Sequence, residues 1–78
     1  MYLVIAPNYL QYQRYVNERV RKDQARRSEY HFVNELTMLL SYHGTVLILN
    51  REQCDRLKLE QYLSVIEAMG TQVRYVDT

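Results

Sequence analysis

Apolar and polar positions along this chain change period several times, and each change marks an element. "YLVIA" (2–6) is continuously apolar and β-branched or aliphatic, and Pro7 stops it. Such a run predicts a strand buried on both faces. Beyond Asn8, "YLQYQRYVNERVRK" sets Tyr9, Tyr12, Val16 and Val20 at spacings of three and four, which predicts an amphipathic helix over about 9–22. "DQARRSE" is polar and either extends this helix or forms a loop. "YHFV" (30–33) predicts a short strand, and "ELTMLLSYH" (35–43) a short helix closed by Gly44. "TVLIL" (45–49) reads as a second fully buried strand. Across 51–69, Leu59, Tyr62, Leu63, Ile66 and Met69 recur at helical spacing, and Gly70 ends the run. "QVRYV" (72–76) alternates apolar with polar, as an edge strand does.

The order β-α-β-α-β-α-β implies a single α/β domain over residues 1–78, with a mainly parallel sheet and right-handed crossovers. The two uniformly apolar strands belong in the middle and the patterned ones at the edges. This gives the spatial order 2-1-3-4 in a small, three-layer, four-stranded sheet of flavodoxin-like or Rossmann-like kind. The first helix then covers one face and the other two helices the opposite face. One helix of about fourteen residues cannot cover four strands, and parallel sheets rarely leave a face wet. The face beside strands 3 and 4 is therefore expected to be under-covered and to meet a second subunit or another protein.

Three apolar runs end on an asparagine: Asn8, Asn34 and Asn50. In a parallel sheet these lie along one edge, each before a predicted helix, so helix capping is the first reading. "NYLQ" and "NREQ" place a glutamine three positions on, as in a capping box. The sharper reading is a ligand crevice outside the ends of strands 1 and 3, where crossover direction reverses. Asn8, Asn50, Arg51 and Asp77 would line it.

Standard cofactor chemistry has little support in the sequence. The turn after strand 1 is "APNYLQ", without the glycines that let backbone approach phosphate. His31 and His43 stand twelve apart with one cysteine elsewhere, which is not a zinc-site spacing. We expect no metal, no cofactor and no catalytic residue. Cys54 reads as a small apolar filler on a helix, and as the sole cysteine it points to a reducing compartment. No apolar run approaches the ~18 residues of a membrane helix. The first residues lack the basic and cleavage features of a leader, so a cytoplasmic protein without membrane contact is expected.

Composition adds two features. Eight tyrosines accompany one phenylalanine and no tryptophan, and tyrosine suits half-buried sites and interfaces. The chain has a net charge of only +1, yet residues 14–27 hold Arg14, Arg19, Arg21, Lys22, Arg26 and Arg27 against Glu18 and Asp23. A solvated helix end complementing the dipole is the plain account of that cluster. A contact surface for an acidic protein or for phosphates is the functional one, with Tyr12 and Tyr15 nearby.

The runs "YLVIAPNYLQYQRYV", "YHFV", "GTVLILN" and "EAMGTQVRYV" together resemble small uncharacterised bacteriophage-encoded Rossmann-like proteins. The resemblance implies a protein acting in the host cytoplasm by binding and redirecting a host component, and it implies no enzyme. Our leading expectation is a non-catalytic interaction module that self-associates as a homo-oligomer or binds a host protein. Its contacts would come from Tyr9, Tyr12, Tyr15 and the basic residues above. The alternative is a nucleic-acid or nucleotide-binding domain using Arg14, Arg19, Arg21, Lys22, Arg26 and Arg27. A small hydrolase or transferase at the Asn8–Asn50 crevice is a third reading.

Overall fold

Four strands, β1 (Tyr2–Ile5), β2 (Tyr30–Phe32), β3 (Thr45–Leu49) and β4 (Gln72–Val76), pair in parallel in the order β2-β1-β3-β4. Two helices, α1 (Tyr9–Arg21) and α2 (Arg56–Met69), complete the framework in this computed structural model, which describes residues 1–22 and 26–78. The sheet order and the α/β class agree with the sequence reading.

Register explains why the two central strands are apolar throughout Leu3–Ile5 and Val46–Leu49. Leu3 and Ile5 of β1, with Val46 and Ile48 of β3, face α2 and pack with Leu59, Tyr62 and Ile66. Val4, Leu47 and Leu49 face the other way and pack with Tyr12 and Val16 of α1. Each residue of a central strand therefore meets one of two apolar layers. β4, at the edge, is only half-buried at Val73 and Val76.

Three local expectations are corrected. The segment 35–43 forms only a one-turn 3-10 helix at Leu36–Leu39, and Leu40 is already extended. A stretch this short gains too few hydrogen bonds to offset helix nucleation. Gly44 accordingly caps no helix. A Cβ there would overlap the Tyr42 ring and hydroxyl, so Gly44 is required for close approach.

The helix expected over 51–69 starts later. Arg51–Gln53 make a separate 3-10 turn and Cys54 is extended. Asp55 then caps α2, its side chain accepting from the Leu57 and Lys58 amides at 3.0 and 3.3 Å. Gly70, at φ 68°, ends α2 as the sequence indicated. Of the "DQARRSE" stretch, residues 23–25 lie outside the described residues, and Arg27–Glu29 form a 3-10 turn.

Candidate interaction groove

The three asparagines have three different roles. Asn8 caps α1, accepting from the Gln11 amide at 2.9 Å. Asn34 is exposed, and the turn after it begins at Glu35 without a side-chain cap. Asn50 stands at the N-cap position of the Arg51–Gln53 turn, but its side chain makes no capping bond there. Its backbone is left-handed, at φ 46° and ψ 56°, a conformation that asparagine tolerates better than most residues. Its amide nitrogen donates to Gln11 Oε1 at 2.6 Å and to Thr78 Oγ1 at 2.9 Å. Its Oδ1 accepts from the Thr78 backbone N–H at 2.8 Å.

The two glutamines that suggested capping boxes bond each other instead. Gln11 Nε2 donates to Gln53 Oε1 at 2.8 Å. A relay Asn50–Gln11–Gln53 thus ties β3, α1 and the turn after β3 at the C-terminal edge of the sheet. The sequence points to the two glutamines only as capping-box partners and gives no sign of Thr78, because their tertiary partners lie far along the chain.

Beside this relay lies a groove of about 560 Å³, lined by Gln11, Arg14, Tyr15, Glu18, Asn50 and Thr78, among others. It sits at the switch point between β1 and β3, on the α1 side of the sheet. Of the four residues expected there, Asn50 is central and Asn8 caps the adjoining helix. Arg51 turns away and lies over the Tyr75 ring, 5.1 Å from its centroid. Asp77 is exposed and lines no part of this groove.

Tyr15 also lines a second hollow of about 230 Å³, with Tyr2, Tyr30, Arg19, Leu47 and Arg74. The two hollows therefore share a wall and run along the flank of α1. Their position follows from where α1 packs. Tyr9 and Tyr12 contact Phe32 at ring distances of 5.3 and 5.2 Å, so α1 leans over β2 and β1. One row across the sheet reads Phe32, Val4, Leu47, Arg74. Toward its β4 end the cover thins, and Arg74 is exposed. The opening is narrower than helix-against-strand counting suggests: Leu47 and Leu49 of β3 are buried under α1, and only the β4 edge, at Arg74 and Val76, is left uncovered.

The predicted contact residues divide. Tyr12 is turned into the core and its hydroxyl donates to the Tyr30 carbonyl at 3.1 Å. Burial pushes its pKa up, with the neighbouring Tyr9 adding to the shift and Arg27 opposing it. Tyr9 is 54 % exposed. Lys22 pairs with Glu18 at 3.0 Å, and this exposed contact holds the Glu18 carboxyl below its ordinary range. Arg27 donates to Asn17 Oδ1 at 2.6 Å. Arg21 and Arg26 are exposed and line neither hollow. Only Arg14 and Arg19 of the six reach the open face. Arg74, Tyr2 and Tyr30 join them there, which sequence reasoning missed. Strand alternation could have found Arg74, since it shares a face with Val76.

Among the described residues no three of His, Cys, Asp or Glu gather in metal-binding geometry, and no helix is long and apolar enough to cross a membrane. The Cys54 thiol lies 3.5 Å from the Leu49 carbonyl oxygen, and burial raises its pKa. Compared with known proteins, the chain matches no family model, no curated protein and no solved structure. The fold and the groove define a small parallel α/β domain with a basic, tyrosine-walled open face.

Proposed function

We propose that this chain is a non-catalytic interaction module that docks an acidic segment of a partner protein against the open face between α1 and β4. One observation carries the reading: Arg14, Arg19 and Arg74 line this face, and Glu18, the one acidic lining residue among the described residues, is engaged by Lys22. Such a surface attracts negative charge and repels its own kind. By the resemblance to bacteriophage-encoded proteins, the partner is a host protein met in the host cytoplasm.

Binding of single-stranded nucleic acid is the second reading, and the tyrosines speak against it. Tyr2 stacks on Tyr30 at 5.5 Å, and Tyr15 sets its edge against Tyr30 at 6.0 Å. These rings are committed to one another, whereas a stacking platform offers free faces to bases.

The test is affinity capture with the wild-type chain and with R14E/R74E, each with and without nuclease. Capture that survives nuclease and is lost in the variant supports an acidic protein partner. Capture abolished by nuclease assigns the face to nucleic acid. Sedimentation of the purified chain covers the remaining occupant, because a dimer that R74E dissolves would assign the face to a second copy.

A further inference from the structure

Arg19 reaches from α1 into the smaller hollow, and its Nε is buried without a hydrogen-bond partner. A buried N–H left unpaired costs free energy, and a shift of the Arg19 side chain toward the hollow, whose wall includes Tyr30, would relieve it by admitting an acceptor. The Tyr30 hydroxyl lies beside the guanidinium and, as the largest influence, raises its pKa further. The group therefore stays charged at any working pH. Arg74 enters from β4, in register with Leu47 on the hollow floor. Tyr2, Tyr15 and Tyr30 supply the walls, and among the described residues no carboxylate lines the space.

We propose that this hollow is a binding site for a phosphate monoester dianion. Two guanidiniums balance a charge of about −2, whereas a phosphodiester brings only one negative charge. Planar guanidinium forks suit phosphate oxygens, and tyrosine hydroxyls can add donors around them. At about 230 Å³ the hollow falls below the roughly 300–1,000 Å³ of sites that enclose whole small molecules. It takes a group and leaves the remainder of the ligand in the wider groove beyond Tyr15. The proposal rests on the docking reading of this face and specifies the chemical group recognised there. The same phosphate could belong to a free metabolite or to a phosphorylated side chain of the partner.

NMR titration of the intact chain tests the site, following the Arg19 Nε–Hε resonance. The probes are inorganic phosphate, phenyl phosphate, a phosphoserine peptide with its unphosphorylated form, and a thymidine oligonucleotide. Saturable movement of the Arg19 resonance with phosphate and phenyl phosphate is expected. Tighter binding of the phosphopeptide than of phenyl phosphate assigns the group to a partner protein, and the reverse order assigns it to a metabolite. R74Q and R19K should each weaken phenyl phosphate binding by about tenfold, since Lys lacks the paired donors of the fork. R74Q alters an exposed strand position and keeps the test decisive should R19K disturb folding. An immobile Arg19 resonance at saturating phosphate, or unchanged affinity in R74Q, overturns the proposal. So does an oligonucleotide that binds more tightly than the monoesters. If these fail while R14E/R74E still abolishes capture of a protein, the docking reading stands without the phosphate site.

Discussion

Asn50 and Thr78 exchange two hydrogen bonds, at 2.8 Å into Asn50 Oδ1 and 2.9 Å from its Nδ2. The same nitrogen holds Gln11, so one side chain fastens the segment after β4 and α1 to the end of β3. Asn50→Ala should cost about 2 kcal/mol, from lost hydrogen bonds and a left-handed backbone that alanine tolerates poorly. Asn50→Gly, which relieves the backbone, should cost about 1 kcal/mol. Urea denaturation of both variants checks the order, and equal losses would mean that the backbone conformation contributes nothing.

Helix capping separates the remaining asparagines. Asn8→Ala and Asp55→Ala each remove a bonded cap and should cost about 1 kcal/mol. Asn34→Ala removes an exposed side chain and should change stability by less than about 0.5 kcal/mol. A loss at Asn34 equal to that at Asn8 would restore the capping role that its sequence position suggested.

Two glycine substitutions distinguish crowding from backbone strain. Gly44→Ala drives a Cβ into Tyr42, whose hydroxyl donates to the Met1 carbonyl at 2.7 Å. The ring must move, and a loss of about 1–3 kcal/mol is expected. Gly70→Ala meets nothing within 4 Å and carries only its φ of +68°, for about 1 kcal/mol. Trimming residue 42 in Y42A/G44A should recover the Gly44 penalty relative to Y42A alone, while the Gly70 penalty stays in either background.

How far the fold could be read ahead depended on the range of the forces involved. Strand order was legible because burial on both faces leaves a continuous apolar run, as at Val46–Leu49, and edges leave alternation. The helix at 35–43 was misread because apolar spacing carries no information on whether one turn can nucleate. The start of α2 was misplaced because the Asn50 signal, a cap in isolation, was captured by Thr78 and Gln11, which are remote in sequence. Counting helices against strands placed the opening beside strands 3 and 4, but α1 covers Leu47 and Leu49, and only the β4 edge stays open. The chemistry of that edge was not legible, since Arg19 and Arg74 meet only through the β3–β4 register and the tilt of α1.

Alkaline pH should destabilise the fold. Burial raises the pKa values of Cys54, Tyr12, Tyr15 and Tyr42 above their ordinary values. Between each unfolded and folded pKa the native state holds more protons, so unfolding free energy falls as pH rises. The loss should begin above the ordinary thiol value of about 8.5 and steepen above the phenol value of about 10. Urea midpoints from pH 7 to 11 measure it. Y42F should flatten the upper part of the curve, and a curve flat to pH 11 would contradict the burial of these groups.

Charge reversal at two sites tests whether position on the fold, rather than local charge density, makes the basic cluster a contact surface. Arg14 and Arg74 line the open face, whereas Arg26 and Arg27 lie outside it, and Arg27 is held by Asn17. Against a glutamate-rich peptide, R14E/R74E should weaken binding about tenfold or more, as reversed charges juxtapose like signs. R26E/R27E changes the net charge by the same amount and should alter affinity by less than about threefold, because neither side chain lines the face and exposed charges are screened by salt. A thymidine oligonucleotide provides the contrast. If Arg14, Arg19 and Arg74 neutralised phosphates, affinity would fall with salt at a log–log slope of about −2 on single strands. We expect the oligonucleotide to bind weakly at physiological salt, while the peptide depends on Arg14 and Arg74. Equal losses in the two double variants would return the interaction to diffuse helix-end charge and remove the groove from its centre.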